Sequence, residues 1–404
     1  MSSSPSAAKP EPALRTTDNF VRALDFFLRF AAENQEARAL IDEARQDSSR
    51  RVALHIFFET ADVALRDMAR EERDVARGVA TFSPHQPDRA RILRVLNAHC
   101  ARLFMMRRVR KLTLRASDCG FFAGFLAVLD ALLLAPPGVE VEVDWRLRGD
   151  EQHFTYAPSR RGACVWRCLF APVHLHPAED APPIAPDAED ELLVEARFNF
   201  FLTARFRSFF TRSVHYNLAR RLYHDVYRRH VRLAHPTLRD AWDGLGAQLR
   251  SGGSLGIHKR VDTPGTAEYQ GCKHVFRCAD FIEAARQLIA RATMPVTTIF
   301  LATDDAHAEA AFRAAFGSRL RLRDGVQRVA GGLNSDGTLN EVHIRSPHNP
   351  SCSIDDAVDV VADALLLASC DTVLHMDSNV TTAVAMMNPD AQMVHITDLL
   401  RVPQ

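Results

Sequence analysis

The last 150 residues alternate between strand-like and helix-like segments with a regularity that restricts the fold. From residue 253, apolar strand patterns and amphipathic helix patterns follow one another with short turns between them. The predicted strands cover 255–260, 296–305, 319–324, 371–377 and 391–396, and the predicted helices cover 280–292, 306–317, 356–370 and 379–388. Strands and helices at this spacing predict a parallel sheet wrapped by helices.

The preceding part of the chain contains a second, less regular α/β pattern. A glycine turn near Gly120 leads into an apolar helix over 122–134, a Pro-Pro break and a strand that ends at Asp144-Trp145. A loop (171–190) and a basic helical stretch (194–231) follow. The pattern over 16–115 is helical and favours a bundle or a dimerisation arm. The predicted divisions are a tail (1–15), a helical region (16–111), an acceptor-side α/β domain (112–245) and a nucleotide-binding domain (246–404).

Composition excludes several classes of protein. The 404 residues include 50 basic and 50 acidic side chains, and this balance argues against a nucleic-acid-binding surface. The basic run 107–111 is interpreted as a solvated helix face. The N-terminus has no signal-peptide pattern, and the first apolar segment carries charges that indicate an amphipathic helix rather than a membrane span. The eight cysteines form no CxxC pair, so we expect a cytoplasmic protein in a reducing compartment.

Ionisable side chains gather where the predicted strands end. Three such groups, at His258 to Asp262, Asp304-Asp305 and Asp377 to Asn379, fall at the carboxyl ends of predicted strands, where ligands of parallel sheets bind. The common glycine-rich dinucleotide and phosphate loops and the HExxH metal motif are missing. Arg260 and the helix N-terminus at Ser378-Asn379 together predict a pyrophosphate site that needs no metal. Ser378 also fits ordinary helix capping, and both roles can hold together.

These residues resemble the motifs of the fucosyltransferase superfamily, above all those of the core and rhizobial nodulation fucosyltransferases. The first likeness is the strand-end H-x-R of His258 and Arg260, with Glu268 ten positions after the histidine in a Gly-Thr-x-Glu context. The phrase FLATDD (300–305) is similar to the second motif of that family, and Asp363, Asp371 and Ser378 match the third. The likeness covers about 112–400. Val261 stands where the family has a second arginine, and Asn379 and Val380 follow Ser378 where the family has glutamine.

The resemblance implies a GT-B-like fold, with two facing Rossmann-type domains and here an added N-terminal helical region. It implies inverting, metal-independent transfer of fucose from GDP-fucose to a hydroxyl of a glycan or polypeptide, without a cofactor. Arg260 would bind the pyrophosphate with help from Ser378 and Asn379. Glu268 would be the general base, and His258 and Asp363 would contact the nucleoside. Asp304 and Asp305 are expected to shape the crevice, with Asp305 capping the next helix.

Three alternatives remain at this point. The chain could be a glycosyltransferase of the same fold that uses another nucleotide sugar. It could be a catalytically silent relative that binds a glycan or a protein, as the missing second arginine would allow. It could also be an interaction protein that acts through 16–115, for example as a homo-oligomer formed by those helices.

Overall fold

The computed structural model describes the chain from residue 109 onwards, with gaps. The described residues are 109–116, 120–135, 138–146, 156, 163–176, 189–194, 217–262, 275–335, 337, 340–342 and 353–400. The chain divides into two units, 1–104 and 105–404, and all described residues belong to the second. The predicted tail and nearly all of the predicted helical region therefore lie outside them.

The described residues form a mixed α/β structure with two sheets that contain parallel strands. The strands are β1 (Val109–Leu114), β2 (Glu140–Val143), β3 (His174–Leu175), β4 (Glu189–Val194), β5 (Ser254–Lys259), β6 (Thr298–Thr303), β7 (Leu320–Arg321), β8 (Thr372–His375) and β9 (Gln392–His395). The helices are α1 (Phe121–Leu134), α2 (Val165–Leu169), α3 (Asn217–His230), α4 (Pro236–Asp243), α5 (Leu245–Arg250), α6 (Cys278–Arg291), α7 (Ala306–Phe316), α8 (Ile354–Ala368) and α9 (Asn379–Met387).

The second sheet confirms the predicted alternation. Its five strands are all parallel and lie in the order β7-β6-β5-β8-β9, with β5 at the centre. Leu255 and Ile257 point into a core that contains Phe281 of α6 and Phe312 of α7. Gly256 points to the opposite face, where a Cβ atom would come within 3.0 Å of the Leu367 side chain of α8. Alternate residues of one strand thus contact helices on both faces of the sheet.

The first sheet corrects two predictions. Its order is β3-β2-β1-β4, with β1 parallel to β2 and β4, and β3 antiparallel to β2. Val109–Leu114 is a strand, so the helical pattern predicted over 16–115 is wrong at 109–114. Buried Val109, Leu112 and Leu114 hold this segment in the sheet, and Lys111 at the end of the basic run pairs with Glu142 at 2.8 Å. Glu189–Val194, predicted as the end of a loop and the start of a helix, is the edge strand β4.

An aromatic cluster fills the core beside the first sheet. Five large rings are buried there and contact one another at centroid distances of 4.7–6.4 Å: Phe121, Phe125, Trp145, Trp166 and Phe170. Two of them are contributed by α1, whose sequence FFAGFLAVLDALLL is almost wholly apolar. A helix that is apolar all round is expected to be buried on most sides.

Helix α3 connects the helices that belong to the two sheets. The buried Tyr223 hydroxyl donates to Asp130 Oδ1 of α1 at 2.5 Å, while a His224 ring nitrogen lies 3.1 Å from the carbonyl oxygen of Met386 in α9. These contacts fall within the single unit 105–404. The predicted domain division at 245/246 stays a prediction. Among the described residues, no helix is both long and apolar enough to cross a membrane.

Candidate functional site

The carboxyl ends of β5, β6 and β8 are neighbours, because these three strands are adjacent in the sheet. Lys259, the last residue of β5, is buried there, with 1% of its surface exposed. Its ammonium group donates to Asp262 Oδ1 at 3.0 Å and to Asp305 Oδ2 at 3.3 Å. The charge of Lys259 therefore joins the ends of β5 and β6.

The two aspartates after β6 hold the crevice together as predicted. Asp304 Oδ1 accepts a hydrogen bond of 2.6 Å from the backbone N–H of Val261, immediately after Arg260. Asp305 caps α7, where its Oδ1 accepts from the N–H of His307 at 2.8 Å. Burial raises the pKa of Asp304, whereas the positive charge of Arg260 lowers it. The FLATDD motif (300–305) therefore contacts the backbone next to the H-x-R motif directly.

Arg260 forms an ion pair with Glu341, a residue that the sequence did not single out. The guanidinium Nη2 donates to Glu341 Oε2, and the two side chains are 23% and 8% exposed. Burying a carboxylate is costly unless a positive group compensates it, so this pair fixes both side chains. Arg260 retains partial exposure at the carboxyl edge of the sheet.

The loop after β7 returns across this edge and brings Glu341 to Arg260. Val329 exchanges backbone hydrogen bonds with Asp304 and Ala306 at 2.8 and 2.9 Å. Further on, the N–H of Gly332 donates to Asp262 O at 3.0 Å. Gly331 has φ +76°, and a Cβ atom there would lie 2.5 Å from Asp262 O. Only glycine allows so close an approach at this backbone conformation.

His258 lies in β5, one residue before Lys259. Burial and the neighbouring charges of Arg260 and Lys259 lower the pKa of His258 to about 3. The imidazole is therefore neutral at physiological pH. A neutral imidazole can both donate and accept a hydrogen bond, as contact with a nucleoside would require. The predicted contact itself stays a prediction.

The third strand end places Ser378 and Asn379 at the start of α9. Ser378 caps the helix: its Oγ accepts from the N–H of Thr381 at 3.0 Å, and its own N–H donates to Thr381 Oγ1 at 3.0 Å. Ser378 is 4% exposed, and Asn379 is half-buried beside it. The capping role of Ser378 is thus confirmed, and its predicted role toward a pyrophosphate stays a prediction. His395 of β9 lies 3.9 Å from Asp377 at the same edge.

Asp363 lies in the middle of α8 and meets two arginines of the loop after β7. Arg323 pairs with Asp359 at 2.8 Å and approaches Asp363 Oδ1 at 3.7 Å. That oxygen is buried and accepts no hydrogen bond from the described residues. Burial raises the pKa of Asp363 to about 7, although Arg323 and Arg328 act in the opposite direction. The carboxyl group of Asp363 is therefore protonated at acidic pH and ionised above neutrality.

Two other residues of the family motifs lie away from this group. Asp371 precedes β8 at the opposite, amino edge of the sheet, where its carboxylate accepts from the N–H of Ser254 at 2.9 Å. It joins the beginnings of β5 and β8 and does not reach the carboxyl edge. Glu268, the predicted general base, lies outside the described residues, in the segment 263–274.

Sequence reasoning missed Glu341, Arg323 and Arg277. Glu341 and Arg323 lie in or beside a glycine-rich loop whose sequence has neither a helical nor a strand-like hydrophobic periodicity, so their contacts could not be predicted from a sequence pattern. Arg277 immediately precedes α6 and lines a cavity of about 640 Å³ together with Asp262, Val275 and Asp280.

The described residues include no cluster of three or more His, Cys, Asp or Glu side chains arranged to hold a metal ion.

No family model matches the chain, and no curated protein matches it by sequence. Among solved structures, it is similar to the NodZ alpha-1,6-fucosyltransferase soaked with GDP-fucose, with 14% identity and a TM-score of 0.39 over 69% of this chain and 93% of that one. The fucosyltransferase NodZ from Bradyrhizobium matches at 15% identity and a TM-score of 0.37, over 69% of this chain and 94% of that one.

POFUT1 in complex with GDP is also similar, with 10% identity and a TM-score of 0.32 over 70% of this chain and 95% of that one. The NodZ proteins among these matches are fucosyltransferases. At these identities and TM-scores the matches do not define the activity of this chain.

Proposed function

We propose that this protein is an inverting, metal-independent glycosyltransferase that transfers fucose from GDP-fucose to a hydroxyl group of a glycan or polypeptide. One observation supports the proposal most. Each of the three motifs of the family resemblance contributes a residue to one edge of one sheet: Arg260 after β5, Asp304 after β6 and Ser378 after β8. The hydrogen bond from Val261 to Asp304 joins the first two motifs directly.

In this proposal the donor diphosphate lies at the carboxyl edge of the second sheet, in a GT-B-like arrangement with the acceptor on the side of the first. Arg260 and the N-terminus of α9 stabilise the negative charge that develops on departing GDP. Asp363 accepts hydrogen bonds from guanine, and neutral His258 contacts the nucleoside. Glu268 removes the proton of the acceptor hydroxyl as the new glycosidic bond forms.

A ligand screen by thermal unfolding tests this function. The protein is heated with GDP, UDP, ADP and the corresponding nucleotide sugars, each in three buffers: without additions, with EDTA, and with Mg²⁺ or Mn²⁺. A ligand present at 100 times its Kd stabilises the folded state by about 2.7 kcal/mol. We expect GDP and GDP-fucose to raise the melting temperature more than the others do, with EDTA making no difference. Stabilisation by UDP-sugars alone, or a strict requirement for Mg²⁺ or Mn²⁺, would contradict the proposal.

The Arg260–Glu341 ion pair favours a second candidate, a catalytically silent relative that binds a glycan or a protein. A buried carboxylate that holds the central arginine opposes the binding of another anion to it. This candidate predicts no stabilisation by any nucleotide in the same screen.

A further inference from the structure

At the carboxyl edge of the second sheet, the positively charged side chains are already paired with carboxylates, which oppose the binding of a negatively charged diphosphate. Lys259 pairs with Asp262 and Asp305, and Arg260 pairs with Glu341. Each of these positive charges is therefore matched by at least one carboxylate before any ligand binds. A diphosphate brought to this edge would need positive charge that is not already compensated.

The two arginines of the loop after β7 are compensated in the same way. Arg323 pairs with Asp359 at 2.8 Å, and Arg328 pairs with Glu309 at 3.0 Å. Both side chains are mostly buried, at 14% and 13% exposed. Turning either arginine towards a phosphate would break its ion pair with a half-buried carboxylate and, for Arg328, also its hydrogen bond to the carbonyl oxygen of Arg323 at 3.2 Å.

Arg277 differs from these four cations. Its side chain is exposed, and no carboxylate of the described residues forms an ion pair with it. It precedes α6 and lines the cavity of about 640 Å³ beside Asp262, at the end of β5. Cavities that hold ligands in proteins commonly measure about 300–1,000 Å³, so the space suits a nucleotide moiety.

The two carboxylates that line the same cavity already have partners. Asp262 Oδ1 accepts from Lys259 Nζ at 3.0 Å, and Asp280 Oδ2 accepts from the backbone N–H of Arg277 at 2.7 Å at the start of α6. The positive end of the helix further offsets the charge of Asp280. Arg277 is thus the lining side chain best able to attract an anion.

We propose that Arg277 binds the diphosphate of the nucleotide donor and supplies the positive charge that the paired Arg260 cannot supply alone. The inference rests on the proposed function, because it assigns a further residue to the same donor site. The guanidinium would donate two hydrogen bonds to phosphate oxygens, as arginine commonly does.

The test compares binding of GDP and of guanosine, which lacks phosphates, by calorimetry. The variants are Arg277→Gln, Arg277→Lys and, as a matched control, Arg286→Gln, an exposed arginine further along α6. We expect Arg277→Gln to weaken GDP binding on the order of 10- to 100-fold, because a hydrogen bond to a charged group contributes about that much. Guanosine binding should not change, Arg277→Lys should recover part of the affinity, and Arg286→Gln should match the wild type.

Each contrary outcome has a distinct meaning. If the wild-type protein binds GDP and Arg277→Gln binds it with the same affinity, this inference is overturned and the proposed function stands. An equal loss for GDP and guanosine also overturns it, because a structural role would explain that result. A wild-type protein that binds no GDP overturns the proposed function and this inference together.

Discussion

At the scale of single residues, Arg260 is constrained from two sides. It is expected to hold a diphosphate, and it also compensates the buried Glu341. Replacing it alone therefore has two effects, loss of a ligand contact and exposure of an unpaired carboxylate. A variant that removes both charges separates these effects.

We predict that Arg260→Gln lowers the transfer rate on the order of 10²–10³, the usual cost of losing one electrostatic contact to a developing charge. The single variant should also unfold at a lower temperature than the wild type. The double variant Arg260→Gln/Glu341→Gln should regain stability without regaining activity. Steady-state kinetics and thermal unfolding provide the two measurements. Near-normal turnover in either variant would refute the role of Arg260.

Glu268 requires a kinetic experiment, since it lies outside the described residues. Glu268→Gln keeps the size of the side chain but cannot accept a proton. Transfer should fall by roughly 10²–10⁴, while the Kd for GDP stays at the wild-type value. Calorimetry and initial-rate assays of the same preparation give both numbers. Unchanged turnover would identify Glu268 as an ordinary surface carboxylate.

Asp363 should make stability depend on pH. Its pKa of about 7 in the folded protein lies above the value of about 3.9 for an unfolded aspartate, so the folded state binds the proton more tightly. The stabilisation from this proton is complete below about pH 4 and is lost as pH rises through 7. Each tenfold difference in proton affinity corresponds to about 1.4 kcal/mol, which makes the total a few kcal/mol.

The variant Asp363→Asn removes this proton linkage while keeping the shape of the side chain. Relative to the wild type, Asp363→Asn should therefore gain stability as pH rises from 4 to 8. Denaturant unfolding at intervals across this range measures the difference. Two parallel stability curves would show that Asp363 has an ordinary pKa in the folded protein.

At the scale of elements, the loop after β7 depends on one glycine. A Cβ atom at Gly331 would lie 2.5 Å from Asp262 O and 2.7 Å from Val261 Cγ2, at a positive φ. Gly325 has nearly the same φ, +75°, but no neighbour within 4 Å of its own Cβ position. Substitution by alanine therefore costs the same backbone strain at both glycines, but only at Gly331 does the added Cβ atom also clash with neighbouring atoms.

Gly331→Ala should destabilise the protein more than Gly325→Ala, whose cost should be about 1–2 kcal/mol from backbone strain alone. Because the loop carries Glu341 to Arg260, Gly331→Ala should also weaken GDP binding. Chemical denaturation and calorimetry measure both effects. Equal destabilisation by the two substitutions would mean that the loop can move away from β5 at no cost.

The elements of the second sheet could be predicted from sequence because each has a clear period and clear ends. The prediction for α8 began at 356, and the helix begins at Ile354, where Ser353 and Asp356 form a capping box. Strands that contain charged as well as apolar residues were harder to predict from the sequence. Glu189–Val194 begins with three acidic residues and lies at a sheet edge, where pairing with β1 overrides its weak strand propensity.

Contacts between distant residues could not be predicted in this way. The pairs Arg260–Glu341 and Arg323–Asp359 join residues 81 and 36 positions apart, and nothing in either local sequence specifies the partner. The sequence did place Arg260, Asp304 and Ser378 at the carboxyl edge, because their strands are parallel and adjacent. It did not indicate that Lys259 is buried there as a structural cation.

At the scale of the whole molecule, the central claim is that this edge of the sheet binds a guanine nucleotide. Guanine presents N1–H and its exocyclic amine as two parallel donors, which one carboxylate can accept together. Uracil and adenine do not present that pair. The carboxylate form of Asp363 predominates above its pKa of about 7, so base preference is best measured at pH 8.

The most direct measurement is calorimetric titration of the wild-type protein at pH 8 with GDP, UDP and ADP. The three ligands share the diphosphate and differ in the base, so the comparison isolates recognition of guanine. We predict that GDP binds at least about tenfold more tightly than UDP or ADP, which corresponds to about 1.4 kcal/mol. Equal affinities for the three, or binding of none, would contradict the account.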